Sequence, residues 1–159
     1  MALLTFEEFS QFPFEKKGRF LGCDVGEKTI GLALSDINRK IATPFQVIHR
    51  TKWKKDSLLL LSLMNEHHIL GIVVGLPLNM NGSEGPRCQS TRQFIANLLV
   101  LKDLPICFWD ERLSTIAVTR TLLEADLSRE KRSKIVDKMA ASYILQGALD
   151  AFGRLQRSL

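Results

Sequence analysis

The sequence predicts one α/β domain in which a mixed sheet carries helices on both faces. Near the start of the chain, two short apolar segments follow one another closely, as in an antiparallel hairpin. Farther along, short β-branched runs alternate with longer amphipathic segments, as in the βα units that build parallel pairs. The chain has 159 residues, 45% of them apolar, which is enough for one domain with its own core.

The predicted elements follow the order β-β-β-α-β-α-β-α-α. Short apolar or alternating runs predict strands at residues 19–25, 29–35, 45–48, 69–75 and 105–109. Longer amphipathic runs predict helices at residues 55–67, 87–101, 114–126 and 133–152. The apolar residues of the first helix are Leu58, Leu59, Leu61 and Leu63. Ser114 is a good N-cap for the third helix. Two prolines and two glycines in residues 76–86 exclude a regular element there.

Residues 1–18 are expected to form an N-terminal extension, and residues 19–153 the domain itself. Four phenylalanines of the extension can cover an edge of the core: Phe6, Phe9, Phe12 and Phe14. Pro13 stops any helix at that point. No apolar run reaches the roughly 18 residues of a membrane span. The N-terminus carries glutamates and no early positive charge, unlike a signal peptide. We therefore expect a cytoplasmic protein with no membrane partner.

The charge of the chain permits nucleic-acid binding but does not require it. The formal net charge is +5, and basic side chains concentrate in two clusters, at residues 50–55 and 129–138. A solvated helix face explains either cluster alone. The three cysteines lie far apart without metal-ligand spacing and are expected to be free thiols.

Asp24 lies near the end of the first apolar strand, and Gly26 follows two residues later. Aspartate is depleted from such strands, because a buried carboxylate without a partner is costly. A metal ion, a cation or a ring of N–H donors is the usual compensation. Gly26 is expected to turn the chain with a positive φ and to leave room for a ligand. The alternative is a turn aspartate that bonds to its own backbone.

Two more acids, Asp110 and Glu111, follow the last predicted strand. Ligands gather at the carboxyl ends of strands in α/β sheets, so these acids are candidates for the same site. The alternative is a solvated strand end with a salt bridge to Arg112.

The last helix carries another candidate acid, Asp137. On a helical wheel of residues 133–152 it falls on the apolar stripe, among mostly small residues. The polar face of the wheel is formed by Lys138, Ser142 and Gln146. An acid stabilised by the helix dipole is the alternative interpretation, but it does not explain why Asp137 points inward.

Three separate inward carboxylates need a shared cation. Hard divalent ions such as Mg²⁺ take oxygen ligands. Such ions activate water and stabilise the leaving oxygen in phosphodiester cleavage. The residues therefore point to Mg²⁺ or Mn²⁺ as the cofactor of a hydrolytic site.

Four segments together resemble the YqgF/RuvX family. They are LGCDVGEKTIGLALSD, GIVVGLPLNMNGSEGP, FWDERLST and KIVDKMAASYILQGALD, and they cover the chain from about Phe20 to Asp150. Each motif alone is loose, but four in the right order are highly specific. Members of the family are described as pre-16S ribosomal RNA nucleases and are similar to Holliday-junction resolvases. The resemblance implies a ribonuclease H-like fold and a divalent-metal-dependent endonuclease that processes the precursor of 16S ribosomal RNA.

The resemblance also implies a set of site residues. The catalytic acids would be Asp24, Glu111 and Asp137, and the metal ligands these three together with Asp110. Glu111 is preferred as the acid next to the arginine of its motif, and Asp110 remains the alternative. Many ribonuclease H-like nucleases carry an acid on the fourth strand. Here that strand ends Gly75-Leu76-Pro77, which leaves the number of metal ions open.

The loop over residues 76–86 is expected to face the substrate, with backbone N–H groups and polar side chains that meet phosphates. A long surface loop is the alternative. The expected nucleic-acid contacts are Asn79, Asn81, Ser83, Arg87, Arg112, Lys131, Arg132 and Lys134. The partner would be precursor ribosomal RNA or structured DNA.

Other functions fit parts of this pattern. A Holliday junction resolvase acting on DNA would use the same site and the same backbone contacts. A noncatalytic nucleic-acid-binding protein could share the scaffold, although the retention of three acids argues against it. An actin-like ATP-binding protein would need two such domains around a cleft, and this chain has room for one.

Overall fold

The computed structural model describes residues 3–113 and 129–158, and the side chains of residues 3–113 and 139–157. The helices are α1 (Phe6–Gln11), α2 (Trp53–Glu66), α3 (Pro86–Leu101) and α4 (Arg129–Ser158). The strands are β1 (Arg19–Val25), β2 (Thr29–Ser35), β3 (Ala42–His49), β4 (Ile69–Leu76) and β5 (Ile106–Asp110). A short 3₁₀ turn, Glu111–Leu113, follows β5.

The five strands form one mixed sheet in the order β3-β2-β1-β4-β5. The first three strands pair antiparallel. Strands β4 and β5 add in parallel beside β1. The predicted α/β architecture, with antiparallel hairpins first and βα units after them, is therefore confirmed.

Most predicted element bounds lie within a few residues of the observed ones. Helix α4 is longer than its predicted range of 133–152, since it extends from Arg129 to Ser158. Strand β3 begins at Ala42 and includes Pro44, three residues before the predicted start at 45. Pro44 is tolerated because β3 is an edge strand and the β2–β3 pairing shifts register beside it. The helix predicted at 114–126, with its N-cap Ser114, lies outside the described residues.

A hydrophobic core lies on each face of the sheet, as helices on both faces require. On one face, α2 and α3 pack on the strands through residues that include Leu60, Met64 and Leu98. Of the apolar residues expected of α2, Leu61 and Leu63 pack against this core, whereas Leu58 and Leu59 are 63% and 41% exposed. Leu60 and Met64 are one helical turn apart and face the sheet together.

The second core lies between the sheet and helices α1 and α4. Phe6, Phe9 and Phe14 of the N-terminal segment enter it, whereas Phe12 is 40% exposed. The Phe9 ring stacks on Phe152 at 5.3 Å between centroids and meets Phe20 edge-on at 5.0 Å. The backbone N–H of Leu4 donates to the carbonyl of Ile106 at 2.8 Å, which ties the segment to β5. Helix α1 ends at Gln11, two residues before Pro13.

The polar side of α4 contacts the sheet more than the helical wheel suggests. Ser142 is buried and donates to the carbonyl of Met139. The Gln146 side chain accepts from the Ala42 backbone N–H at 2.8 Å and donates to the Lys40 carbonyl at 3.0 Å. Gln146, on the expected polar face, therefore binds the helix to the beginning of β3 through these two hydrogen bonds.

Two glycines allow α4 to lie very close to the sheet. A Cβ on Gly22 would stand 2.7 Å from Cβ of Leu145 and 2.9 Å from the carbonyl oxygen of Ala141. A Cβ on Gly75 would overlap Cδ1 of Ile144. In the described parts of the chain, no helix combines the length and apolar character needed to span a membrane.

Replacing Gly22 by alanine should destabilise the fold by about 1–3 kcal/mol, because the added methyl group overpacks the contact between β1 and α4. The matched control is Gly153→Ala in the same helix, where a Cβ would meet only Nη1 of Arg157 at 3.6 Å. Alanine there should raise stability by up to about 1 kcal/mol through helix propensity. Urea unfolding of the two variants measures both changes. Equal changes in the free energy of unfolding for the two variants would contradict the close approach of α4 to β1.

Candidate active site

Asp24 is a buried carboxylate on the face of the sheet that α4 covers. Its residue is 7% exposed. Successive side chains on a strand alternate between faces. Gly22 lies under α4 and Cys23 packs in the opposite core, so Asp24 faces α4 again. Burial, and secondly the charge of Asp24, raise the pKa of the Cys23 thiol to about 12, so this thiol stays neutral in the core.

Gly26 holds the β1–β2 hairpin by close approach and not by a positive φ. The predicted positive φ at Gly26 is wrong, since the glycines with positive φ in the described residues are Gly18 and Gly82. The Gly26 N–H donates to the Thr29 carbonyl at 2.8 Å, and a Cβ on Gly26 would stand 2.9 Å from that oxygen. Nη1 of Arg50 donates to the Gly26 carbonyl at 2.7 Å. The strand end that carries Asp24 is thereby fixed.

The Glu111 carboxylate lies on the same face as Asp24. Its Oε1 is buried and would be 2.6 Å from a Cβ on Gly75. Strands β1 and β4 pair through Cys23 and Val74, so the next residues, Asp24 and Gly75, lie side by side. Because Gly75 has no side chain, the Glu111 carboxylate has room next to the strand that carries Asp24.

Asp110 lies on the other side of the sheet. Trp109 packs in the core under α4, so the next residue on the strand points away from that helix. The Arg112 guanidinium donates to Asp110, with Nη2 2.8 Å from Oδ2 and Nε 3.1 Å from Oδ1. Hydrogen bonds from Arg112 hold the pKa of the Asp110 carboxyl below its usual range. The geometry favours Glu111 as the acid that accompanies Asp24.

The polar side chains of the loop after β4 bond mainly to one another. Nδ2 of Asn79 donates to Oγ of Ser83 at 3.0 Å, and Oγ of Ser83 donates to Oδ1 of Asn81 at 2.6 Å. Arg112 reaches this loop as well, because its Nη1 donates to the Met80 carbonyl at 3.1 Å. Four of the predicted nucleic-acid contacts are therefore engaged within the protein.

The other predicted site residues are exposed or outside the described side chains. Arg87 is exposed in the first turn of α3, at the end of the loop. The backbone of the predicted site residues Lys131, Arg132, Lys134 and Asp137 belongs to α4, but their side chains are not described. Within the described side chains, no group of three or more His, Cys, Asp and Glu residues is arranged to hold a metal ion.

Helix α4 runs over the sheet so that its first half approaches the end of β1. Phe152 lies beside Phe20 at the start of β1, with ring centroids 6.2 Å apart. Ala141, farther toward the helix N-terminus, lies over Gly22. The backbone of position 137, one turn before Ala141, continues in the direction of Asp24.

Three residues in and around this site were not among the predicted site residues. Gly75 was noted only as a strand end without an acid, although it opens the space for Glu111. Arg50 was assigned to a basic cluster, although it holds the hairpin. Met80 is 89% exposed at the tip of the loop. A methionine inside a polar, glycine-containing loop was the available signal.

The salt bridge between Arg112 and Asp110 should stabilise the fold only where Asp110 is ionised. Its folded-state pKa lies below the unfolded value. The contribution is therefore full above the unfolded pKa of roughly 3.9 and is lost as the pH falls through the folded pKa. Arg112→Gln should reduce stability at neutral pH and progressively less in acid. Urea unfolding across this range measures the difference.

Arg87→Gln is the control for this measurement, because Arg87 is exposed and forms no salt bridge among the described residues. Its effect on stability should not change with pH in the same range. An effect of Arg112→Gln that is independent of pH would contradict the assigned pairing.

The sequence matches the family model RuvX, described as a Holliday junction resolvase, over residues 18–151. A protein of Paramagnetospirillum magneticum named "Putative pre-16S rRNA nuclease" is 64% identical over 132 residues, which cover 83% of this chain and 85% of that protein. A protein of the same name from Ruegeria sp. strain TM1040 is 53% identical over 154 residues, which cover 97% and 98%.

Two solved structures share the fold at low sequence identity. RuvC of T. thermophilus in complex with a Holliday junction substrate has a TM-score of 0.53 and 11% identity, covering 89% of this chain and 97% of that one. The yeast mitochondrial Holliday junction resolvase Ydc2 has a TM-score of 0.53 and 14% identity, covering 96% and 86%. The expected ribonuclease H-like fold is confirmed.

Proposed function

Since the chain belongs to the RuvX family, we propose that it is a divalent-metal-dependent endonuclease that processes the precursor of 16S ribosomal RNA. The observation that carries this proposal is the position of Asp24 and Glu111 on one face of the sheet, at the ends of β1 and β5, with Gly75 of the intervening strand β4 between them. Relatives that match most of the chain and are named as nucleases of this precursor support the substrate. This substrate places the reaction in the cytoplasm.

The donor set fits a hard divalent cation. Asp24 and Glu111 offer carboxylate oxygens, the ligands that Mg²⁺ and Mn²⁺ prefer. Asp137 is proposed as the third ligand, because the helical repeat puts position 137 on the stripe of Ala141 and Ile144. Asp110 is less suitable, since Arg112 already occupies its carboxylate.

The bound ion would activate water and stabilise the leaving oxygen in phosphodiester cleavage. The chain's own contribution is to hold the carboxylates in a fixed and partly dry position. Asp24 is buried, and the hairpin that follows it is fixed by Arg50. Glu111 rests over Gly75. Charges in such surroundings interact more strongly than they do in water.

Substrate binding is proposed to use phosphate contacts from basic side chains. Arg87 is exposed at the end of the loop after β4. Lys131, Arg132 and Lys134 precede position 137 on α4 by no more than two turns. Because polar side chains and several backbone N–H groups of the loop bond within the loop, the phosphate contacts are proposed to come mainly from the basic side chains.

A Holliday junction resolvase is the second candidate, because the matching family model carries that description. Both activities cleave a phosphodiester bond at the same carboxylates. The two candidates differ in the nucleic acid that is bound, so substrate preference separates them.

The test compares cleavage of a precursor 16S ribosomal RNA fragment with cleavage of a four-way DNA junction, each with Mg²⁺, with Mn²⁺ and with EDTA. Wild type should cleave the RNA only when a metal ion is present. Asp24→Asn and Glu111→Gln should abolish cleavage, because each removes a charged ligand and keeps the side-chain shape. Circular dichroism checks that the variants are folded.

Asp110→Asn is the matched control, since it neutralises the adjacent acid on the opposite face of the sheet. It should keep most of the activity. Full activity of a pure Asp24→Asn preparation would contradict the proposed site. Preference for the DNA junction over the RNA would favour the resolvase instead.

A further inference from the structure

The loop between β4 and α3, residues 77–85, is closed into a defined turn. The Asn79 N–H donates to the Ser83 carbonyl at 2.9 Å, and the Gly82 N–H donates to the Asn79 carbonyl at 2.8 Å. Gly82 has a φ of 86°, a conformation that favours glycine. Together with the side-chain bonds among Asn79, Asn81 and Ser83, these contacts give the tip of the loop a fixed shape.

Two arginines attach this turn to the sheet and to α3. Arg112 donates through Nη1 to the Met80 carbonyl while the rest of its guanidinium bonds to Asp110. At the other end of the loop, Arg92 donates to both carboxylate oxygens of Glu84, at 2.6 and 3.0 Å. The Arg92 guanidinium also lies 4.9 Å from the centroid of the Phe108 ring. The loop is therefore anchored on both sides of its tip.

The side chain held at this tip is apolar and exposed. Met80 is 89% exposed, and the residues that flank it are polar. A single exposed apolar side chain is ordinary on a protein surface. Met80 differs because the hydrogen bond from Arg112 fixes the backbone of Met80. Arg112 directly follows the acid Glu111 in the sequence. Leu76, where the loop leaves the sheet, pairs with Asp110 in the same region.

We propose that Met80 contacts an unstacked nucleobase of the substrate, close to the phosphate that is cleaved. This inference rests on the proposed nuclease function and identifies a substrate contact that does not involve phosphate. Methionine has no charge and no strong donor, so it adds nothing to phosphate binding. Its flexible, polarisable side chain packs on aromatic faces, and apolar side chains of this kind insert between bases in other nucleic-acid-binding proteins.

Binding affinity tests the contact without the need for cleavage. The parent protein is the Asp24→Asn variant, which binds substrate and should not cut it. Dissociation constants are measured by fluorescence anisotropy with a precursor 16S ribosomal RNA fragment and, in parallel, with a four-way DNA junction. Adding Met80→Ala should weaken binding to the preferred substrate about tenfold, the loss expected for one apolar side chain that returns to water.

A set of substrates with one abasic nucleotide at successive positions identifies the partner of Met80. An abasic nucleotide at the contacted position should weaken binding by the parent, and Met80→Ala should then add no further loss. At other positions the loss from Met80→Ala should remain. This coupling is the signature of a direct contact between the two groups.

Two variants control for other causes. Val100→Ala removes an equally exposed apolar side chain, 86% exposed, near the far end of α3, and should leave affinity unchanged. Met80→Leu keeps an apolar side chain of similar size and should restore most of the affinity. All these proteins should have equal melting temperatures, because the side chains that change are exposed.

Unchanged affinity of the Met80→Ala protein would overturn the inference, and so would a loss that is equal at every abasic position. Absence of binding by the parent to either nucleic acid would overturn it as well. Coupling between Met80 and one base, together with no cleavage by wild type, would support the contact and contradict the proposed nuclease activity.

Discussion

The close approach of helix α4 to the sheet is the constraint on which the site depends. The helix crosses β1 and β4 over Gly22 and Gly75, where any Cβ would overlap Leu145 or Ile144. Larger side chains at these glycines would push the helix outward and carry its first turns away from the strand ends. Gly75 has a second effect, since it leaves the space in which Glu111 lies. The same two residues therefore set both the packing of the core and the spacing of the acids.

Burial of charge links this packing to chemistry. Asp24 is 7% exposed beside a cysteine whose pKa is raised by burial. A carboxylate kept in such surroundings costs free energy unless a cation or hydrogen-bond donors compensate it. The edge around Asp24 is held by contacts that do not involve a ligand. Arg50 donates to the Gly26 carbonyl and lies 5.4 Å from the Phe94 ring, which joins the hairpin to α3. The hairpin that follows Asp24 is thus held by contacts within the protein.

Sequence patterns predicted the architecture well, because alternation and β-branched runs determine which segments are strands. They failed where a local rule was overridden by the fold. Pro44 is tolerated at the sheet edge, and Gly26 is needed for a close contact instead of a positive φ. The site shows a further limit. Asp110 and Glu111 are adjacent in the sequence, and only the structure shows that Asp110 bonds to Arg112 while the Glu111 carboxylate lies over Gly75.

The central claim is that Asp24 and Glu111 hold a divalent ion on the α4 face of the sheet. Titration of Mn²⁺ into ¹⁵N-labelled protein measures this most directly, because the ion broadens amide signals in its vicinity. The signals of residues 24–26 and 75–76 and of Glu111 should broaden first, while those of Phe20 and Ile69, at the opposite ends of β1 and β4, should persist. Asp24→Asn should abolish this pattern. Broadening centred elsewhere, or unchanged by Asp24→Asn, would contradict the account.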